Sequence, residues 1–192
     1  EGMEGVTKPD FAPGDYDTPE QRVGAYNDQR PWETCMTICS QWSWKPDDKL
    51  KTLKECIDIL VQTAGGDGNL LLNVGPMPDG RIEPRQADRL KEIGAWLRAN
   101  GKSIYGTRGG PFRPAPWGCS THQGSSIYVH VLDWPENGLV LPQLDGKIDS
   151  ATLIDGTAVD FKQDQNGIRC DVPGEMQNPL DTIIVLTRAN TN

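Results

Sequence analysis

TCMTICSQWSWKPDDKLKTLKECIDILVQTAGGDGNLLLNV, residues 34–74, is the stretch on which the fold turns. Thr34–Ile38 puts Thr, Cys, Met and Ile in a short run that suits a strand. Pro46-Asp47-Asp48 is a helix-start signal, and Leu50, Leu53, Ile57, Leu60, Val61 and Ala64 recur at helical spacing until Gly65-Gly66 stops the pattern. NLLLNV, Asn69–Val74, is an apolar run bounded by glycines, which predicts a strand buried on both faces of a parallel sheet. Beyond it Gly75–Gly80 is turn-rich, and Pro84 suits a first helical turn. Ala87, Leu90, Ile93, Gly94 and Leu97 mark the buried face of a second helix that ends at Asn100-Gly101. Residues 34–100 thus read strand, helix, strand, helix, the alternation that builds parallel sheets with right-handed crossovers. A closed eight-stranded barrel needs about 250 residues, so two such units make the end of a (β/α)8-like barrel.

Outward from this stretch the pattern changes on both sides. Residues 1–31 are rich in Gly, Pro, Asp and Gln without apolar periodicity, which predicts a long irregular segment lying over other structure. Thr107–Gly118 reads as a Gly/Pro/Arg linker. Short strand-like runs follow at Ser126–Leu132, Leu139–Leu141, Ser150–Ile154, Ile168–Val172 and Thr182–Leu186, separated by turns such as Asp145-Gly146, Asp155-Gly156 and Asn166-Gly167. The expected fold class is α/β plus all-β: residues 1–106 as the C-terminal part of a (β/α)-barrel and residues 107–192 as an antiparallel β-sandwich.

Composition narrows the partners. Acidic residues outnumber basic ones, 27 to 19, and no Lys/Arg run occurs, so no nucleic-acid partner is expected. No apolar run reaches the length of a membrane span, so no membrane association is expected either. EGMEGVTKPD at the start has neither a basic nor an apolar leader region, so any export signal is expected to have been removed or to lie outside this sequence. The five cysteines, Cys35, Cys39, Cys56, Cys119 and Cys170, form no CxxC pair, and only His122 and His130 could join them on a metal. The expectation is no metal, no cofactor, and buried free thiols.

The chemistry concentrates between Gly14 and Trp44, where Glu20 and Glu33 lie close in sequence to Trp32, Trp42 and Trp44. A carboxyl held against aromatic surface loses solvation, which raises its pKa toward the range of a proton donor. An indole face packs on the apolar faces and methyl groups of a pyranose. The combination points to sugar chemistry. In (β/α)-barrels reactive groups lie in the loops after strand C-termini, which is where Trp42 and Trp44 fall.

Five segments, DYDTPEQ (15–21), PWETCMTICSQWSW (31–44), GDGNLLLNVGPMPDGRI (66–82), RLKEIGAWLRANGKSIYGT (89–107) and IYVHVLDWP (127–135), together resemble the C-terminal part of a family 29 glycoside hydrolase, an α-L-fucosidase. The resemblance covers most of residues 14–107 and, more loosely, the region after it. It implies a retaining double displacement by two carboxyls roughly 5–5.5 Å apart. By motif position Glu20 resembles the acid/base, with Glu33 a second candidate. Trp42 falls where the family places an aromatic against the C5 methyl of fucose, with Trp44 its neighbour and Trp32 the remaining aromatic beside Glu33. The implied substrate is a fucosylated oligosaccharide or glycoconjugate, and the implied setting is secreted, periplasmic or lysosome-like. The family's nucleophilic aspartate, and the histidines and arginine that grip the fucose hydroxyls, belong to earlier segments and are absent here. The resemblance therefore also implies a missing N-terminal barrel segment as partner.

Plainer readings stand beside these. Glu20 on a polar loop can be a solvated carboxylate, and Glu33 a buried structural one paired to an arginine or a backbone N–H. Trp32 suits the core, and Trp96, Trp117 and Trp134 suit packing. Asn73 and Asp79 can border the site, although turn formation accounts for Asp79. His130, between Val129 and Val131, reads as a cross-strand residue and His122 as solvated. The competing function is a non-catalytic carbohydrate-binding or structural module.

Overall fold

A computed structural model describes residues 14–189; the first positions of the expected irregular segment, 1–13, and residues 190–192 lie outside the described residues. β1 (Glu33–Thr37) and β2 (Asn69–Asn73) pair in parallel, with Glu33 opposite Asn69 and Thr37 opposite Asn73. Helix α1 (Leu53–Gly65) makes the crossover between them, and α2 (Pro84–Asn100) follows β2 with a proline in its first turn.

The start of α1 corrects the sequence reading. The helix begins not after Pro46 but at Leu53, because Thr52 and Glu55 form a reciprocal capping box: the Glu55 amide donates to the Thr52 hydroxyl at 3.1 Å and the Thr52 amide to the Glu55 carboxylate at 2.6 Å. Asp47 has φ of 55°, which a helix does not accommodate, and Asp48 turns its carboxylate back onto amides upstream.

Residues 17–21 lie along the edge of β1 that β2 leaves free. Parallel bridges join Asp17 to Trp32 and Glu20 to Cys35, and the Cys35 amide donates to the Pro19 carbonyl at 3.0 Å. The long segment is thus partly in register with the parallel pair. One face of that pair is covered: Leu72 and Val74 pack against a core of Ile38, Cys56, Ile57, Val61, Ile93 and Trp96. A fully buried Ile such as Ile57 contributes about 1.5–3 kcal/mol there. The other face, with Glu33, Cys35, Asn69 and Leu71, is open, and Leu71 is 48% exposed. NLLLNV is therefore buried on one face rather than both, since nothing among the described residues covers the second. Leu90, expected on the buried face of α2, is likewise exposed, and Gln86, Ile93 and Trp96 form that face instead.

Beyond α2 the strands β3 (Arg108–Gly109), β4 (Gly118–Gln123), β5 (Ser126–Val131), β6 (Leu139–Leu141), β7 (Ile148–Leu153), β8 (Asp160–Asp164), β9 (Gly167–Asp171) and β10 (Thr182–Arg188) form two antiparallel sheets. Their orders are β3-β4-β5-β10-β7 and β6-β9-β8. Ile127, Val129, Ile184 and Leu186 from the first and Leu139, Leu141, Ile168 and Cys170 from the second share one core, so the two sheets lie face to face. The opposite side of the first sheet, through Cys119, Tyr128 and Ile183, joins the helical core. β3, β4 and β8 escaped the sequence reading; β3 lies inside the expected linker. β4 had a legible signal, the Gly124-Ser125 connection to β5, which is a two-residue hairpin turn.

Candidate active site

Register puts both carboxylates on the open face of the parallel pair, with Glu20 opposite Cys35 and Glu33 two residues before it. Glu20 is exposed and bridged to Cys35, so its side chain shares the open face of the parallel pair with Cys35 and Leu71. Glu33 is half-buried at the first position of β1, four residues before Thr37, which is about 13 Å along the strand from the end that leads into the tryptophan loop. Glu33 instead borders a groove of about 700 Å³ at the N-terminal ends of the strands, with Arg30, Trp32, Asp67, Tyr105 and Arg108.

At the other end of the strands, residues 38–48 form a loop clamped from two sides. Asp48 accepts from the amides of Ser40 at 3.1 Å and Gln41 at 2.9 Å through one oxygen, and from the Lys49 amide at 2.9 Å through the other. Burial alone would raise the Asp48 pKa, but these three donors together with Lys45 hold it below the ordinary carboxylate range. Lys51 donates to the Thr37 and Cys39 carbonyls at 2.7 and 3.2 Å. On this loop the Trp42 side chain is 38% exposed and Trp44 is half-buried.

The carboxylate that meets an indole differs from those singled out in the sequence. The Trp44 indole N–H donates to Glu83 at 3.2 Å, at the N-cap of α2. Arg85 pairs with the same carboxylate, and chiefly through it, with Gln86 and Trp44 assisting, the Glu83 pKa is lowered against the effect of burial. Gly75 lies beneath the Trp44 backbone, where a Cβ would come within 2.5 Å of the Trp44 nitrogen. Glu83 is therefore an ionised anchor for Trp44. Only its place three residues after Gly80, just ahead of Pro84, pointed to it in the sequence.

Trp32, a candidate sugar contact, is 3% exposed, and its indole N–H donates to the Gly66 carbonyl at 3.2 Å. Its ring packs against Gly24, Gly66 and Gly68, so packing accounts for it. All five cysteines are free, with Cys35 half-buried and the others buried. His130 is fully buried against Asp181 at 2.6 Å, and His122, expected to be solvated, is half-buried against the Gly109 carbonyl at 3.1 Å. Among the described residues no group of three or more His, Cys, Asp or Glu is arranged to hold a metal ion, and no helix is long and apolar enough to cross a membrane.

Comparison with known proteins places this geometry. Residues 3–102 match the alpha-L-fucosidase family. Human tissue alpha-L-fucosidase is 37% identical over 131 residues, 63% of this chain and 27% of that protein. Among solved structures, alpha-L-fucosidase isoenzyme 1 from Paenibacillus thiaminolyticus superposes with a TM-score of 0.82 at 33% identity, covering 92% of this chain and 46% of that one. A trapped covalent intermediate of an alpha-L-fucosidase GH29 from Bacteroides thetaiotaomicron, in complex with 2-fluoro-fucosyl fluoride, superposes with a TM-score of 0.79 at 27% identity, covering 91% of this chain and 43% of that one. The chain thus spans about a quarter of the length of the human relative and under half of these two structures. With the family matched over residues 3–102 and the fold shared with its solved members, this chain belongs to the alpha-L-fucosidase family.

Proposed function

We propose that this chain supplies the acid/base carboxylate and an aromatic sugar platform to a retaining exo-α-L-fucosidase, which hydrolyses terminal α-L-fucose from fucosylated oligosaccharides or glycoconjugates. The observation that carries the proposal is the placement of Glu20: exposed, and fixed by its bridge to Cys35 on the open face of the parallel pair. In this reading residues 1–106 are the end of a (β/α)-barrel, the open face points into it, and residues 107–192 form the sandwich. The nucleophile comes from the N-terminal barrel segment, a carboxylate outside this chain.

The chemistry follows from two carboxyl groups. Glu20, protonated, gives its proton to the glycosidic oxygen as the bond to the anomeric carbon breaks, while the nucleophile forms a glycosyl-enzyme ester. Glu20, now ionised, takes a proton from water as that water attacks the anomeric carbon and releases the nucleophile. The covalent intermediate trapped in the Bacteroides thetaiotaomicron relative supports this order of events. Trp42, partly exposed on a clamped loop, suits the C5 methyl of fucose, with Trp44 its neighbour on the same loop. Glu33, half-buried at the first position of β1, remains the second carboxylate candidate and suits a structural role. A secreted, periplasmic or lysosome-like setting completes the proposal. Proton NMR of the first fucose released by the protein carrying this chain tests the mechanism: the α-anomer appearing first is expected, and the β-anomer first would contradict it.

A further inference from the structure

Three threads of the chain meet at the C-terminal edge of the parallel pair. Asn73 stands opposite Thr37, and its side-chain amide donates to the Trp42 carbonyl at 2.9 Å and to the Thr37 hydroxyl at 3.4 Å. That hydroxyl donates to the Gln41 carbonyl at 3.0 Å. The Thr37 amide reaches the side-chain oxygen of Gln21 at 3.5 Å, and the Gln21 amide donates to the Cys35 carbonyl at 2.9 Å. Gln21 directly follows Glu20 and holds φ of 54°, a conformation a non-glycine residue adopts only where its surroundings fix it. On the far side of the turn, Asp48 holds the Ser40 and Gln41 amides.

The turn that carries Trp42 therefore has two successive carbonyls and two successive amides engaged, while the Trp42 side chain itself is 38% exposed. An exposed aromatic on a fixed backbone loses little freedom when a ligand arrives. The fixing groups are shared with the segment that bears Glu20, so the platform and the carboxylate are referenced to one another through Asn73 and Thr37.

We infer that Asn73 is a positioning residue, which sets the Trp42 indole against the Glu20 segment and so determines discrimination in favour of a sugar bearing a methyl group at C5. This rests on the platform role proposed above for Trp42. Asn73 touches no reacting atom in this scheme; it acts through the Trp42 carbonyl. A residue that merely held the fold together would lower activity on all substrates alike, whereas a positioning residue changes the ratio between them.

The test compares kcat/KM for an aryl α-L-fucoside and for the same glycoside lacking the C5 methyl, in the protein that carries this chain with its complete barrel. The wild type is expected to favour the fucoside by about 10–200-fold, the range one methyl group supports. Asn73→Leu, which keeps the bulk but loses both donors, is expected to cut that ratio by about tenfold, while kcat/KM for the analogue stays near wild type. Trp42→Ala provides the reference. If Trp42→Ala collapses the ratio and Asn73→Leu leaves it intact, the positioning role is overturned and the platform stands. If Trp42→Ala leaves the ratio intact, the platform reading fails and the positioning role fails with it. Should Asn73→Leu not fold, Thr37→Val removes the hydroxyl link in the same cluster and must lower the ratio in the same way.

Discussion

Asp67 binds Arg108 in a two-point ion pair, with guanidinium nitrogens at 2.8 and 2.5 Å from its two carboxylate oxygens, and it accepts the Gly109 amide at 2.7 Å as well. Asp67 follows the end of α1 with φ of 67°, and Arg108 and Gly109 form β3, so one side chain ties the helical layer to the first sheet. Burial raises the Asp67 pKa, but Arg108 and the Gly109 amide outweigh it and hold the carboxyl below its ordinary value of 3.8.

The pH dependence follows from that sign. A depressed carboxylate pKa stabilises the fold fully above the unfolded-state value and loses that contribution as pH falls through the lower folded-state value. Asp67→Asn, which still tolerates a positive φ, should cost about 1–3 kcal/mol at neutral pH. Thermal melts of the variant and the wild type should converge as the pH drops below about 4. A constant difference across that range would contradict the assignment.

Cys35 reports on the open face. It is half-buried beside Leu71, whereas burial pushes the Cys170 thiol up to about 12 and raises Cys119 strongly as well. In the isolated 192-residue chain, alkylation followed by mass spectrometry should modify Cys35 first and leave Cys119 and Cys170 unmodified until unfolding. In the protein with a complete barrel, Cys35 should be protected too. Equal reactivity of Cys35 in both forms would show that nothing covers this face.

Gly68 tests the packing of Trp32. A Cβ at Gly68 would lie 2.3 Å from the indole, and Gly24 and Gly66 crowd the same ring at 2.8 and 2.9 Å. Gly68→Ala should destabilise by about 1–3 kcal/mol, read by chemical denaturation. If Trp32 were a mobile sugar contact, it would swing aside and the change would be small.

Much of the parallel unit was legible because its signals are local. The expected strand at Thr34–Ile38 and the one at Asn69–Val74 fall within one residue of the observed ones, and Pro84 and Asn100 bound α2 as read. The start of α1 was misplaced because an Asp next to a Pro can cap an upstream turn as readily as a helix; the Thr52-x-x-Glu55 spacing was the better guide. β4 and β8 carry too many polar residues to stand out: β4 is buried by its partners rather than by its own patterning, and β8 stays largely exposed. At the site, Glu20 and the tryptophans were visible as residue types. What sequence could not supply was register. Register places Glu20 opposite Cys35, two residues from Glu33 on the same face, and the fold beyond β2 brings Glu83 to Trp44.

The central claim is that Glu20 carries the proton. The direct measurement is turnover of an aryl α-L-fucoside with a poor leaving group by the wild type and by Glu20→Gln, both with a complete barrel. A loss of about 10²–10⁴-fold, recovered in part with a leaving group that needs no protonation, is the expected result. Full activity in Glu20→Gln, with a comparable loss in Glu33→Gln instead, would contradict it and move the acid/base role to Glu33.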